Sequence, residues 1–176
     1  YEYRAGEDQG KDNIYKATDS YGHGMTANFM QLMKAYTVFN NDGKIATPYI
    51  VANKPPLPQV EVLSSQTANA MKKMLIQTVE EGTGGKAKIE GLEIGGKTGT
   101  ANVVENGKYQ RKYMSSFFGF ANDKKHRYTI GVTVNDPVNR GAKWYYYYAS
   151  NSAVPVFKEV VKILIKLDYL EPNEGN

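Results

Sequence analysis

The stretch Gly91-Leu92-Glu93-Ile94-Gly95-Gly96-Lys97-Thr98-Gly99-Thr100-Ala101-Asn102 decides the fold, because it admits two opposed readings. Its first eight residues match the phosphate-loop expression G-x-x-x-x-G-K-T letter for letter. A phosphate loop needs an apolar strand before it and a helix after it, so that a helix N-terminus faces the phosphates. Upstream stand Lys86-Ala87-Lys88-Ile89-Glu90, which make a poor buried strand. Downstream come Gly99, Thr100, Val103, Val104 and the turn pair Asn106-Gly107, which make a poor helix and a good hairpin. The window therefore reads as a β-strand that carries a lysine among glycines and hydroxyls. Thr98 and Thr100 lie two apart and share one face. Gly99, without a side chain, lets a neighbouring backbone or a ligand come close. Lys97 adds positive charge. Such a set suits a carboxylate held beside a reacting carbonyl, with an edge-strand N–H aimed at an oxyanion. The bland alternative is a glycine-rich edge strand with no chemistry.

Outward from this window the period is two. Ile94 to Val104 forms the first strand, Met114 to Ala121 the second and Tyr128 to Val134 the third. Phe117, Phe118 and Phe120 predict burial of the second strand on both faces. Asn135-Asp136-Pro137 ends the third. Ser115-Ser116 read as the start of a buried strand rather than as nucleophiles. Before the window the period is 3.6. Phe29, Leu32, Met33 and Tyr36 make one apolar stripe, with Thr26 as its N-cap and Asn40-Asn41-Asp42-Gly43 as its stop. Ala68, Met71, Leu75 and Val79 make another, capped by Ser64 or Ser65 and ended by Glu80 to Gly85. Met25, Met30, Met33, Met71 and Met74 read as core fillers. Ile45 to Val51 is extended, and Lys54-Pro55-Pro56-Leu57-Pro58 is a stiff connector. After the strands, Trp144 and four successive tyrosines form a loop that either lines a groove or packs over the end of the sheet. Ser152 caps a last helix with Phe157, Val160, Val161, Leu164 and Leu167 on its apolar face. Residues 1–20 read as a loop and 171–176 as a frayed tail. Helices and hairpins are segregated, so the fold class is α+β: an antiparallel three-stranded meander packed with helices, in one domain over residues 1–176.

Composition removes several classes. There are 22 Lys and Arg against 18 Asp and Glu, a net charge of +4 spread along the chain. The densest runs, Lys72-Lys73 and Lys124-Lys125-His126-Arg127, read as solvated helix and turn faces, with no nucleic-acid motif beside them. The absence of cysteine excludes disulfides and thiol catalysis. His23 and His126, far apart, offer no metal-ligand spacing, and no cofactor is expected. His23 between two glycines reads as a turn residue. No stretch is long and apolar enough to span a bilayer, and the polar start at Tyr1 looks like a boundary within a longer protein.

Lys97-Thr98-Gly99-Thr100-Ala101 resembles the K-T-G element of penicillin-binding proteins and serine β-lactamases. Five further stretches resemble the class B, septal-type penicillin-binding proteins: Tyr21 to Thr26, Gln31 to Gly43, Glu80 to Gly84, Ser115 to Ala121, and Pro155 to Phe157. The similarity runs in order from about Tyr21 to Leu170, which makes it far more specific than a bare K-T-G. It implies the C-terminal part of a peptidoglycan D,D-transpeptidase domain of the penicillin-binding and serine β-lactamase-like fold. In that family a serine attacks a D-Ala-D-Ala bond, forms an acyl-enzyme and is resolved by the amine of a second stem peptide; β-lactams acylate the same serine. Catalytic roles would fall to Lys97, as the charge beside the serine, and to the Thr100 N–H, as an oxyanion donor. Thr98, Gly99 and Thr100 would bind substrate, the two hydroxyls holding its carboxylate.

The departures from the family pattern matter as much. The nucleophile sits in S-x-x-K, and none of Ser20, Ser64, Ser65, Ser115, Ser116, Ser150 and Ser152 has lysine three residues on. None has asparagine two residues on, so S-x-N is missing too. A serine enzyme without its serine does no acyl transfer, and the 176 residues alone are expected to be inactive. The family sheet has five strands, of which these residues would supply three. Strand 128–135 would keep one unpaired edge and favour homo-association or completion by another segment. The implied partners are peptidoglycan stem peptides, β-lactams and division-complex proteins. The implied location is the periplasmic face of a bacterial inner membrane, through an anchor elsewhere in the parent. The alternatives are a serine β-lactamase or carboxypeptidase relative, a non-catalytic interaction module and, more remotely, a nucleotide binder.

Overall fold

Three strands with opposite demands on their two faces organise the chain. The computed structural model describes residues 27–53, 55, 57–105, 108–138 and 145–173, together with residues 13, 16, 17 and 20. The His23 turn, Thr26, Met25, Asn106-Gly107, Trp144 and residues 174–176 lie outside them. Helix α1 spans Phe29–Asn40. A two-residue pair, β1 (Lys44–Ile45) with β2 (Val60–Glu61), follows antiparallel. Next come helix α2 (Ser65–Glu80), a 3₁₀ turn at Gly85–Ala87, the sheet strands β3 (Glu93–Glu105), β4 (Lys108–Asn122) and β5 (Arg127–Asn135), a 3₁₀ turn at Ala149–Asn151, and helix α3 (Ala153–Lys166). The sheet order is β3-β4-β5, all antiparallel. Among the described residues this is the α+β meander that the periodicities predict, with β3 and β4 longer than the apolar pattern alone marks.

The register sorts side chains onto two faces. Gly96 pairs with Gly119, Thr98 with Phe117 and Thr100 with Ser115; Phe117 pairs with Val132 and Gly119 with Ile130. This face is covered by α3, whose Phe157 meets the Phe117 ring edge-on at 4.8 Å between centroids. Val79, Ile94, Ala121, Val154 and Val161 close the same core. The opposite face carries Phe118 and Phe120. α1 packs there through Phe29 and Tyr36, both ring neighbours of Phe118. α2 crosses β3 at Gly95, where a Cβ would lie 2.9 Å from the Ile76 nitrogen and 2.5 Å from the Phe120 ring. So the sheet is buried on both sides, as Phe117, Phe118 and Phe120 in β4 require.

Several local expectations are corrected. The cap of α1 is Asn28, not Thr26: its side chain accepts from the Gln31 N–H at 2.9 Å, and the Gln31 side chain accepts from the Asn28 N–H at 2.9 Å, a reciprocal capping box. Ser64 does cap α2, accepting from the Thr67 N–H. Ser152 precedes α3 without capping it; its hydroxyl donates backwards to the Tyr148 carbonyl. Met30 of α1 is exposed rather than core, and so are Met71 and Met74, because α2 seats against β3 through Leu75 and Val79 and turns its methionines outward. Leu167 is likewise exposed. Of the extended stretch Ile45 to Val51, only Ile45 belongs to a strand, together with Lys44 in β1. Asn13, Lys16 and Ala17, in the stretch read as loop, are helical. Nor are residues 171–173 frayed. The Glu171 N–H donates to Asp123 and the Asn173 N–H to the Gly91 carbonyl, with Leu170 buried beneath them.

Candidate active site

Strand β3 is an edge strand, and which of its backbone groups face outward can be read from two contacts. The hydroxyl of Thr78, in the last turn of α2, bonds the Gly96 carbonyl. The Lys97 ammonium bonds the Thr98 carbonyl at 3.0 Å. Both partners lie outside the β3–β4 ladder, so the N–H and C=O of Gly96 and Thr98 face away from β4. Residues two apart in a strand point their backbone groups to the same side, and the register is unbroken from Glu93 to Asn102. The Thr100 N–H therefore also lies on the open edge.

The side chains follow the same alternation. Lys97 is exposed on the α1–α2 face. Thr98 and Thr100 belong to the α3 face, and each is held from that side by one other segment. Thr98 Oγ1 lies 2.9 Å from the hydroxyl of Thr83, in the loop after α2, and 3.5 Å from Lys97 Nζ. Thr100 Oγ1 accepts from the Ala149 N–H at 3.1 Å, at the 3₁₀ turn before α3. The structure thus brings Lys97, Thr98 and Thr100 to one edge. Gly99 makes room for the neighbouring strand. A Cβ there would press on the Ser116 hydroxyl at 2.7 Å, so the close approach it permits is to the neighbouring strand. Gly96 similarly makes room for the Phe117 ring at 2.6 Å.

The tyrosine loop closes one end of this edge. Tyr147 stacks on Tyr113 of β4 with centroids 3.8 Å apart and rings 9° from parallel. The buried Ser115 hydroxyl donates to the Tyr147 carbonyl, which ties the loop to β4 two residues before Ala149. Burial first, then the neighbouring Tyr113 and Tyr148, push the Tyr147 phenol up to about 12. The sequence alone leaves groove lining and packing open for this loop; at Tyr147 the contact is packing. Sequence reasoning places Thr83 only within the Glu80 to Gly84 resemblance, gives it no part in the site, and misses the Ala149 N–H altogether. Thr83 sits in a glycine-rich stretch that reads as a flexible helix end, and a backbone donor carries no letter.

Phosphate-loop geometry is absent here. The residues after Lys97-Thr98 continue as strand to Glu105, so no helix begins at the lysine. Among the described residues no group of three or more His, Cys, Asp or Glu is placed to hold a metal. No helix among them is long and apolar enough to cross a membrane.

With this geometry in hand, likeness to known proteins is informative. Residues 2–162 match the family model described as the penicillin-binding protein transpeptidase domain. The chain is 35% identical over 151 residues to the probable peptidoglycan D,D-transpeptidase PenA of Neisseria flavescens, covering 84% of this chain and 36% of that protein. It is 30% identical over 163 residues to the peptidoglycan D,D-transpeptidase FtsI of Escherichia coli, covering 92% and 27%. It superposes on the transpeptidase domain of penicillin-binding protein 3 from Burkholderia pseudomallei with a TM-score of 0.79 at 29% identity, covering 98% of this chain and 52% of that one. The chain therefore spans well under half the length of these curated relatives.

Proposed function

The chain belongs to the penicillin-binding protein transpeptidase domain family, and from that premise we propose that it supplies the K-T-G-T wall of a peptidoglycan D,D-transpeptidase site. The observation that carries this is the open edge of β3, where the Lys97 ammonium, the Thr98 and Thr100 hydroxyls and the outward Thr100 N–H converge. Each group has a part in acyl transfer. The Thr100 N–H donates to the oxyanion that forms as a serine attacks the D-Ala carbonyl. The two hydroxyls donate to the terminal carboxylate of the stem peptide, or to the carboxylate of a β-lactam. Lys97 stabilises negative charge near the nucleophile and holds the Thr98 carbonyl. The nucleophilic serine and its lysine lie outside these 176 residues, so the chain alone carries no acylation. The parent protein works at the periplasmic face of the inner membrane and among division proteins, as the septal-type resemblance implies.

Fluorescent-penicillin labelling, read on a denaturing gel, tests this. The chain alone takes no label. A separately made segment of the parent bearing S-x-x-K takes label only when this chain is added, and Lys97→Ala in the added chain lowers that labelling rate by about a hundredfold. Label on this chain itself would identify a different nucleophile and overturn the assignment.

A further inference from the structure

We propose that Thr83 is a positioning residue for the carboxylate-binding hydroxyl of Thr98. This rests on the transpeptidase site proposed above, and deepens it. A hydroxyl has one proton to give and two lone pairs to receive with. It is a dependable donor to an incoming anion only when protein donors already occupy its oxygen. Thr100 meets that condition, since its Oγ1 accepts from the Ala149 N–H at 3.1 Å. That leaves its proton for the outer side. Thr98 meets it through side chains. Lys97 Nζ, which can only donate, lies 3.5 Å from Thr98 Oγ1, a long and weak contact. The 2.9 Å contact with Thr83 is the strong one.

The Thr83–Thr98 pair can be ordered either way while the site is empty of substrate. A carboxylate settles the order. It accepts the Thr98 proton, and the Thr98 oxygen then takes the Thr83 proton. Donor chains of this kind strengthen along their length when they end on an anion. Thr83 thus never touches the substrate and acts through Thr98. Its own backbone is held in place on the C-terminal side, where the neighbouring Gly84 is buried and the Gly84 N–H donates to the Thr78 carbonyl at 2.9 Å. Thr78 itself grips the β3 edge through Gly96. The end of α2, the loop and the strand are therefore one unit, and the hydroxyl of Thr83 is presented to β3 by a rigid neighbour rather than by a free loop.

The test is made in the complete transpeptidase polypeptide that contains these residues and the acylated serine. Acylation rates are measured with benzylpenicillin, which carries the carboxylate, and with its methyl ester, which does not. Thr83→Val keeps the shape and removes the proton. The expected result is that the ratio of the benzylpenicillin rate to the ester rate falls about tenfold, that Thr83→Ser restores it, and that Thr98→Val removes the effect of Thr83→Val. An unchanged ratio in Thr83→Val, or an equal slowing of both compounds, would overturn the positioning role and leave the transpeptidase site standing. A parent polypeptide that benzylpenicillin fails to acylate would overturn both.

Discussion

At the scale of single residues, the carboxylate that accepts most hydrogen bonds among the described residues is remote from the K-T-G-T edge. Asp123, in the β4–β5 turn, accepts from the Lys125 and His126 N–H groups at 2.6 Å each, from the Glu171 N–H at 2.8 Å and from the His126 ring at 3.1 Å. Its side chain is 2% exposed. Burial pushes its pKa up, but the donors from Glu171, His126 and Lys125 outweigh this and hold the carboxyl far below its ordinary value. A carboxyl depressed on folding contributes stability that is complete above its unfolded value, about 4, and is lost as the pH falls toward the folded value. Asp123→Asn is therefore expected to lower the melting temperature at neutral pH, with the gap from the parent narrowing steadily as the pH is taken from about 5 to about 2. Thermal melts across that range check it; a gap independent of pH would mean that shape, not charge, holds the tail. Lys97, Thr98 and Thr100 of the proposed site are legible in the sequence because the motif spells them. Thr83 is not, because its contact spans fifteen positions and its surroundings, Gly82 and Gly84-Gly85, mimic a loose helix end.

At the scale of elements, what the sequence discloses depends on how many residues share one signal. α2 is readable because Ala68, Leu75 and Val79 repeat over its four turns, and the meander is readable because Phe117, Phe118 and Phe120 demand two covered faces. β1 and β2, two residues each, are too short to show any period. The Asn28–Gln31 capping box is visible as N-x-x-Q, but Thr26 offers a competing cap just upstream. Two element contacts carry predictions. Phe157 of α3 is fully buried against Phe117, and Phe157→Ala should cost about 3–5 kcal/mol in denaturant unfolding. Asn40 at the end of α1 and Asn122 at the end of β4 exchange amide hydrogen bonds of 3.1 and 2.7 Å, both 4% exposed. Asn122 also donates to Glu93 at 2.9 Å, and Lys72 of α2 pairs with Glu93 at 2.5 Å. Burial raises the Glu93 pKa, but these partners override it and hold the carboxyl below its usual value. Asn122→Ala strands the buried Asn40 amide, with an expected cost of about 1–3 kcal/mol. A loss near zero would show that water reaches Asn40.

At the scale of the whole molecule, the sheet has two edges of different character. On β3 the outward carbonyls of Gly96 and Thr98 already have partners in Thr78 and Lys97. On β5 the alternation runs the other way. Phe120, Phe118 and Ser116 of β4 turn their backbone groups toward β3, so Ala121, Gly119 and Phe117 turn theirs toward β5, where they meet Tyr128, Ile130 and Val132. The N–H groups of Thr129, Gly131 and Thr133 consequently point away from the sheet, and no described strand pairs with them. An edge of this length is a template for another strand. We infer that the 176-residue chain self-associates through β5, or is completed there by another segment of its parent. Thr133→Pro discriminates this from general stickiness of the exposed apolar residues. Proline there removes an outward N–H and no bond to β4, and its ring obstructs an incoming strand. In analytical ultracentrifugation the chain should associate with rising concentration and the Thr133→Pro variant should stay smaller at every concentration. Equal association of the two would place the contact on the apolar side chains of α1 and α2, Phe29, Met30 and Met74, and a parent that remains monomeric throughout would show that the β5 edge is satisfied within one chain.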